Sequence, residues 1–113
     1  MTRFIRPEQR PAWQALQALA DVPMPHLREL LQDSTRNGSL AFEAAGIQAD
    51  ASRQRVTPAV MQALLQLADE SQVLSQAQAM FHGEAINATE QRPVLHVALR
   101  GEVVDFVRLD FLH

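Results

Sequence analysis

Proline and glycine residues divide this chain into short segments. Six prolines and four glycines separate its apolar runs. Pro11 suits the first turn of a helix, where a missing N–H costs nothing, whereas Pro23 and Pro25 push the residues before them out of the helical region. Gly83 and Gly101 end the helical patterns that precede them. The positions of these prolines and glycines therefore predict several short helices or strands.

Helical spacing of apolar residues predicts two helices near the start of the chain. The first begins at Pro11 and ends near Asp21. The second is shorter and follows the proline kink, because Leu27, Leu30 and Leu31 lie on one helical face.

Three further helices are predicted in the second half. Thr57-Pro58 starts the third, since the Thr hydroxyl can accept a first-turn N–H while Pro takes the next position. Ser71 caps the fourth, which ends before Gly83. The fifth starts at the capping box Asn87-Ala88-Thr89-Glu90, where the Glu carboxylate reaches back to the cap N–H, and runs to about Leu99.

Three segments lack the helical period. The turn formers from Asp33 to Ser39 predict a reversal of the chain. Alternating apolar residues on either side of Gly46 predict a small hairpin between residues 40 and 51. A β-like tail is predicted over residues 101–113, because apolar residues alternate with polar ones there: Val107, Leu109 and Phe111.

Together these patterns predict a mainly α fold of about five short helices with a minor β-hairpin. The chain should form one domain at most, since an ordinary core occupies about 100–150 residues. Residues 1–100 are expected to be the helical segment and residues 101–113 the divergent tail. Two apolar helix faces are predicted to be core rather than a partner groove: Met61, Leu65 and Ala68, and Val73, Ala77 and Met80.

The composition excludes several classes of function. The chain has no Lys and no Cys, which rules out Schiff-base chemistry, a P-loop lysine, thiol nucleophiles and thiolate metal sites. A formal net charge of −3 gives no field that would gather polyanions, so neither a nucleic-acid nor a membrane partner is expected. No signal peptide is visible, and the cytoplasm is therefore the expected location.

The residues that could carry chemistry form no recognisable site. The four histidines have no helical ligand spacing and no carboxylate placed to complete a metal site: His26, His82, His96 and His113. His96 is interpreted as a packing residue. There is no triad, no Gly-rich phosphate loop and no paired-carboxylate site, so we predict no catalytic residue, no cofactor and no metal.

One polar cluster leaves two interpretations open. Asp50, Ser52, Arg53 and Arg55 precede the helix that starts at Thr57. Arginines beside a helix N-terminus could bind a phosphate. The alternative, which we favour, is a capped turn with exposed charges.

The stretch from Met80 to Arg100, MFHGEAINATEQRPVLHVALR, closely resembles a signature of the N-terminal region of glucose-6-phosphate isomerases. The shared order is Met-Phe, Gly, Ile-Asn, Thr-Glu, Arg, Val-Leu-His, Ala-Leu-Arg. The cluster before Thr57 fits a second segment of that family. The resemblance covers about Arg10 to Arg100, and we expect it to stop there. Four residues depart from the usual pattern: Ala51 for Tyr, Arg53 for Lys, Gln54 for Asn and Pro93 for Ala.

The resemblance implies the N-terminal scaffold portion of an α/β sugar isomerase. The family enzyme interconverts glucose 6-phosphate and fructose 6-phosphate through an enediol, in the cytoplasm and usually as a homodimer. Its catalytic Glu, His and Lys and its phosphate loop lie downstream of the matched region. No functional residue is therefore carried over, and a sugar phosphate is expected to bind only in the full-length enzyme.

Three hypotheses follow for these 113 residues. The first is the N-terminal part of the isomerase, inactive alone. The second is a small binding or self-association module, in which exposed apolar surface and the tail from Val103 to Phe111 recruit a partner or a second copy. The third is sugar-phosphate binding at Arg53 and Arg55 without catalysis.

Overall fold

A computed structural model of the chain describes residues 5–87 and 89–94. The chain divides into two compact units. The first consists of residues 7–67, and the second consists of the residues before and after that range. The described part contains five α-helices and one two-stranded sheet. The predicted mainly α fold with a minor hairpin is therefore confirmed.

The first unit opens with a 3₁₀ turn at Pro7–Gln9, which was not predicted. Its helices and strands follow in chain order: α1 (Pro11–Ala20), α2 (Leu27–Leu30), α3 (Arg36–Leu40), β1 (Ala41–Ala44), β2 (Ile47–Asp50) and α4 (Pro58–Glu70). The last three residues of α4 belong to the second unit, which also holds α5 (Val73–Phe81).

Side-chain caps set the starts of two predicted helices. His26 Nδ1 accepts the N–H of Arg28 at 3.1 Å at the start of α2. Thr57 Oγ1 accepts the N–H of Val60 at 3.3 Å at the start of α4, as its sequence predicted. Each contact satisfies a first-turn donor that has no partner within the helix.

The turn expected from Asp33 to Ser39 is only partly correct. Asp33 forms a local turn by accepting from both the N–H and the hydroxyl of Thr35. The chain then enters α3 at Arg36, so residues 36–39 are helical where turn residues were expected. Arg36 and Leu40 are both buried, and they lie four residues apart on one helical face. Their burial outweighs the turn preference of the residues between them.

The predicted hairpin is confirmed, and a two-residue turn joins its strands. β1 and β2 pair antiparallel, with Ala44 opposite Ile47. The two residues between them, Ala45 and Gly46, have φ of 53° and 76°. Two positive φ values define a type I′ turn, whose twist matches that of the flanking strands. One face of the hairpin is wholly apolar and all four of its residues are exposed: Phe42, Ala44, Ile47 and Ala49.

The N-cap residue of α5 lies one position later than the sequence predicted. Gln72, in the left-handed region with φ of 54°, is the N-cap residue in place of Ser71. The end of α5 lies before Gly83 as expected. Gly83 N–H donates to Met80 O and Glu84 N–H donates to Ala79 O, which together make a Schellman motif.

The predicted fifth helix is wrong for its described part. Asn87 Oδ1 does accept the N–H of Glu90, as a capping residue would. The Asn87 N–H, however, donates to Arg92 O at 3.2 Å, and Gln91 has φ of 54°. The Glu90 carboxylate instead accepts from the Asn87 side-chain amide. These contacts close a turn at residues 87–92, while residues 95–99 lie outside the described part.

Burial is sparse among the described residues. The buried hydrophobic residues are Ala12, Leu40 and Ala63. The prediction of two core faces is wrong at Leu65, which is 61% exposed, and at Val73, which is 51% exposed. The other four residues of those faces are half-buried.

No helix of the described residues is long and apolar enough to cross a membrane. The predicted tail and His96 lie outside those residues.

Gly46 and Gly38 offer a matched test of the hairpin turn. An added Cβ would meet nothing within 4 Å at either glycine. Only Gly46 has a positive φ, so Gly46→Ala should lower the free energy of unfolding by about 1–2 kcal/mol. Gly38→Ala, inside α3, should raise it by about 0.5–1 kcal/mol. Urea unfolding followed by circular dichroism measures both, and equal effects of the two changes would contradict the turn assignment.

Candidate functional site

The polar cluster identified in the sequence begins at Asp50, the last residue of β2, and continues in a loop, residues 51–57, that joins the hairpin to α4. The loop folds around the side chain of Arg36, which is only 5% exposed. Arg36 Nε donates to Ser52 O at 2.8 Å, Nη2 to Gln54 O at 2.5 Å and Nη1 to Val56 O at 2.6 Å. One guanidinium thus binds every second carbonyl of the loop. We call these three contacts the Arg36 clasp.

Local backbone bonds shape the loop so that these carbonyls converge. Gln54 N–H donates to Ala51 O at 3.0 Å, and Val56 N–H donates to Gln54 O at 2.8 Å. The planar guanidinium, with its five fixed N–H donors, matches a semicircle of acceptors better than an ammonium would. Hydrogen bonds from a charged donor are also stronger than neutral ones, which offsets the desolvation of the buried cation.

Asp50 fixes the entry to the loop. Its Oδ1 accepts the N–H of Ser52 at 2.8 Å. The side-chain hydrogen bond from Ser52, together with this backbone bond, lowers the pKa of the Asp50 carboxyl below its ordinary value of 3.8. Ser52 itself is 2% exposed. Asp33 and Thr35 repeat the arrangement before α3, and there too the Thr35 hydroxyl and N–H lower the pKa of the carboxyl.

Arg55 is used to hold another segment of the first unit. Its Nη2 donates to Met24 O at 2.7 Å and its Nε to Pro25 O at 3.1 Å, which ties the loop to the proline kink. Arg53 is exposed on the same loop. Because Thr57 caps α4 and Arg55 binds carbonyls, the geometry favours the capped-turn interpretation of the cluster over the phosphate site.

The two histidines in the described residues, His26 and His82, form hydrogen bonds with backbone groups. His26 caps α2, so its Nδ1 is an acceptor, whereas His82 Nδ1 lies 2.8 Å from Gln78 O and must be the donor there. The structure brings neither into a cluster of three or more potential metal ligands within its described range. His96 and His113 lie outside that range. The residue that sequence reasoning missed is Arg36, which nothing in its local pattern distinguishes from an exposed turn arginine.

The Asp50–Ser52 and Asp33–Thr35 contacts predict that removing either hydroxyl changes the pKa of its own Asp partner only. Ser52→Ala should raise the pKa of Asp50 toward 3.8 without reaching it, because the backbone N–H bond remains. Thr35→Ala should do the same for Asp33 and leave Asp50 unchanged. NMR titration of the carboxyl carbons measures both values. A shift of both carboxyls in either variant would contradict the assignment.

The sign of the stability effect follows from the lowered pKa. A carboxyl whose folded pKa is depressed contributes stability that is complete above its unfolded pKa and is lost as pH falls through the folded pKa. The wild-type chain should therefore lose stability in acid below its ordinary carboxyl range, and Ser52→Ala should reduce that pH dependence.

Comparison with known proteins gives a consistent result. The family model for phosphoglucose isomerase matches residues 50–111. This match contains the whole of the loop, and it continues past Arg100, where we expected the likeness to stop. The expectation of an abrupt end to the resemblance at Arg100 is thus wrong, while the β-like character of residues 101–113 stays a prediction.

Curated relatives give the same family. The chain is 46% identical over 94 residues to the glucose-6-phosphate isomerase of Nitrosospira multiformis, a match that covers 81% of this chain and 17% of that protein. It is 43% identical over 100 residues to the cytosolic enzyme of Arabidopsis thaliana, covering 88% of this chain and 18% of that protein. A Ralstonia pickettii relative is 43% identical over 108 residues, covering 92% and 20%. The chain thus spans at most about a fifth of each of these relatives, and by the match to both the family model and these proteins it belongs to the phosphoglucose isomerase family.

Proposed function

We propose that these 113 residues are the N-terminal part of a glucose-6-phosphate isomerase and that they serve as scaffold, without catalytic activity of their own. The family assignment and the small share of each relative that the chain covers support this proposal. The interconversion of glucose 6-phosphate and fructose 6-phosphate, and the binding of these sugar phosphates, would then require the remainder of the enzyme.

The observation that carries the proposal is the exposure of large apolar side chains on regular elements. Leu74 is 79% exposed, Ile47 69% and Leu65 61%. Leaving such surface in water forfeits about 25 cal/mol for each Å² that burial would remove. In a full-length isomerase these helix and hairpin faces would have further protein to pack against.

The arrangement of polar groups points the same way. Moving a proton between two carbons requires a positioned base and a held substrate. Asp50 at the end of β2 and Arg55 in the loop at residues 51–57 are bound to backbone and hydroxyl groups of the chain itself. Their donors and acceptors hold the loop in place, which is a structural use of groups that could otherwise bind substrate.

We propose a cytoplasmic location for the same enzyme. The relatives from Arabidopsis thaliana and Zea mays are both named as cytosolic glucose-6-phosphate isomerases.

Self-association is the second candidate function, and the hairpin favours it. Within the described residues the sheet has two strands, so each strand leaves one edge without a partner strand there. The apolar face of Phe42, Ala44, Ile47 and Ala49 adjoins those edges. A second copy could cover this face and extend the sheet.

The isolated chain should show no isomerase activity. A coupled assay with fructose 6-phosphate and glucose-6-phosphate dehydrogenase should give the rate of a buffer blank, because proton transfer needs a positioned base and Asp50 and Arg55 are already bound within the chain. A full-length isomerase at equal concentration is the positive control. Turnover that persists after contaminating isomerase is removed would overturn the prediction of inactivity.

A chimera tests the scaffold role separately. Residues 10–100 of this chain, placed in the corresponding segment of the Nitrosospira multiformis enzyme, should retain activity within about tenfold, since the segment supplies fold rather than chemistry. The matched control carries an unrelated helical segment of the same length and should be inactive. A stable, dimeric but inactive chimera would contradict the scaffold proposal.

Ile47→Gln tests self-association of the isolated chain. Light scattering should report a larger mass for the wild type than for Ile47→Gln, because a polar side chain on the apolar face weakens its burial. Glu43→Gln, on the opposite face of the hairpin, is the control and should leave the mass unchanged. A wild-type chain that remains monomeric at high concentration would remove this candidate.

A further inference from the structure

Asn37 and Gly38 form an Asn-Gly pair within the short helix α3. Both residues are exposed, and no atom lies within 4 Å of the position that a Cβ on Gly38 would occupy. The residues at the ends of this helix, Arg36 and Leu40, are both buried. The pair therefore lies on the open side of a helix that is anchored at each end.

Asn followed by Gly has a defined intramolecular reaction. The backbone N of Gly38 attacks Cγ of Asn37, a C–N bond forms, and the side-chain nitrogen leaves as ammonia. Water then opens the resulting succinimide at one of its two carbonyls, which yields either aspartate or isoaspartate. Only water is consumed and no oxidant or enzyme is needed. Gly at the second position removes the Cβ that would hinder the attack.

The backbone of α3 leaves the attacking nitrogen available. Gly38 lies in the first turn, where N–H groups have no carbonyl partner within the helix. Across the described residues of this segment, the N–H groups of Thr35, Arg36 and Ser39 are each hydrogen-bonded, and no such bond is formed by that of Gly38. The helix has only five residues, so opening one turn breaks few bonds and brings the nitrogen toward Cγ.

We propose that Asn37 is a site of spontaneous deamidation, and that its conversion to isoaspartate releases the Arg36 clasp. Isoaspartate carries the main chain through its side-chain carbon, which inserts an extra backbone atom between Arg36 and Gly38. The five-residue helix then cannot keep both Arg36 and Leu40 at their buried positions. The three carbonyls of Ser52, Gln54 and Val56 lose their common donor as a result. This inference is independent of the proposed function.

The other asparagine of the chain is an internal control. Asn87 Oδ1 accepts from Thr89 N–H, Thr89 Oγ1 and Glu90 N–H, which fixes its amide in a turn. The residue after it is Ala88, whose side chain hinders the attack. Asn37 should therefore react while Asn87 stays intact.

Timed incubation of the 113-residue chain tests the proposal. After incubation at 37 °C and pH 8, digestion after arginine releases the peptide of residues 37–53, which contains only this asparagine. Mass spectrometry should show replacement of its amide by a hydroxyl, and isoaspartyl methyltransferase should label the peptide. The rate should be at least fivefold lower at pH 6, because attack requires a deprotonated nitrogen. Equal rates at Asn37 and Asn87, or no reaction at Asn37, would overturn the proposal.

Two variants separate the effect of isoaspartate from that of charge. Gly38→Ala should slow the reaction at least tenfold, and its unfolding midpoint should not change on incubation. Asn37→Asp carries the new charge without the extra backbone atom, so its midpoint should stay close to that of fresh wild type. The incubated wild-type chain should unfold at a lower midpoint than both. An incubated wild type with abundant isoaspartate and an unchanged midpoint would show that the clasp survives, which would overturn the second half of the proposal.

Discussion

A single buried guanidinium organises the first unit of this protein. Arg36 is on α3, and the three carbonyls that it binds are on the loop between the hairpin and α4. Its side chain therefore ties α3 to the loop that joins the hairpin to α4. A cation in this position must be hydrogen-bonded, because leaving a buried charge without partners costs roughly several kcal/mol. The loop conformation and the burial of Arg36 thus depend on each other.

A second arginine continues the same principle at the exposed side of the loop. Arg55 binds the carbonyls of Met24 and Pro25, in a proline-containing segment that forms neither helix nor strand. Such a segment has carbonyls that no regular element satisfies. Arginine side chains supply the missing donors. Charged residues here hold segments of the first unit together, as a larger apolar core would do in another protein. This use of arginine suits a chain whose described hydrophobic core is limited to Ala12, Leu40 and Ala63.

The sequence predicted those features that local chemistry determines. Thr57-Pro58 begins α4 and Gly83 ends α5, because caps and glycines act within one turn of the chain. Alternation about Gly46 likewise located the hairpin. The features that could not be predicted depend on contacts that the local sequence pattern does not show. α3 forms among turn residues since Arg36 and Leu40 are buried, and a capping box at Asn87 leads into a closed turn because Arg92 O takes the Asn87 N–H. For the candidate site, the cluster before Thr57 was found from its composition, whereas its central residue lies 16 to 20 positions earlier.

The Arg36 clasp is made with carbonyl oxygens, and every amino acid carries one. The side chains at positions 52, 54 and 56 can therefore change during evolution without removing an acceptor, provided that the backbone keeps its course. Of the positions where this chain departs from the pattern usual in the family, Gln54 still supplies its carbonyl to Arg36, and Ala51 and Arg53 supply none of the three clasp carbonyls. Carbonyls also do not titrate, so the clasp has no protonation step of its own on the acceptor side. Sequence drift in this loop is thus constrained by Arg36, which lies outside the loop, as well as by Asp50 and Arg55, whose side chains also hold its backbone.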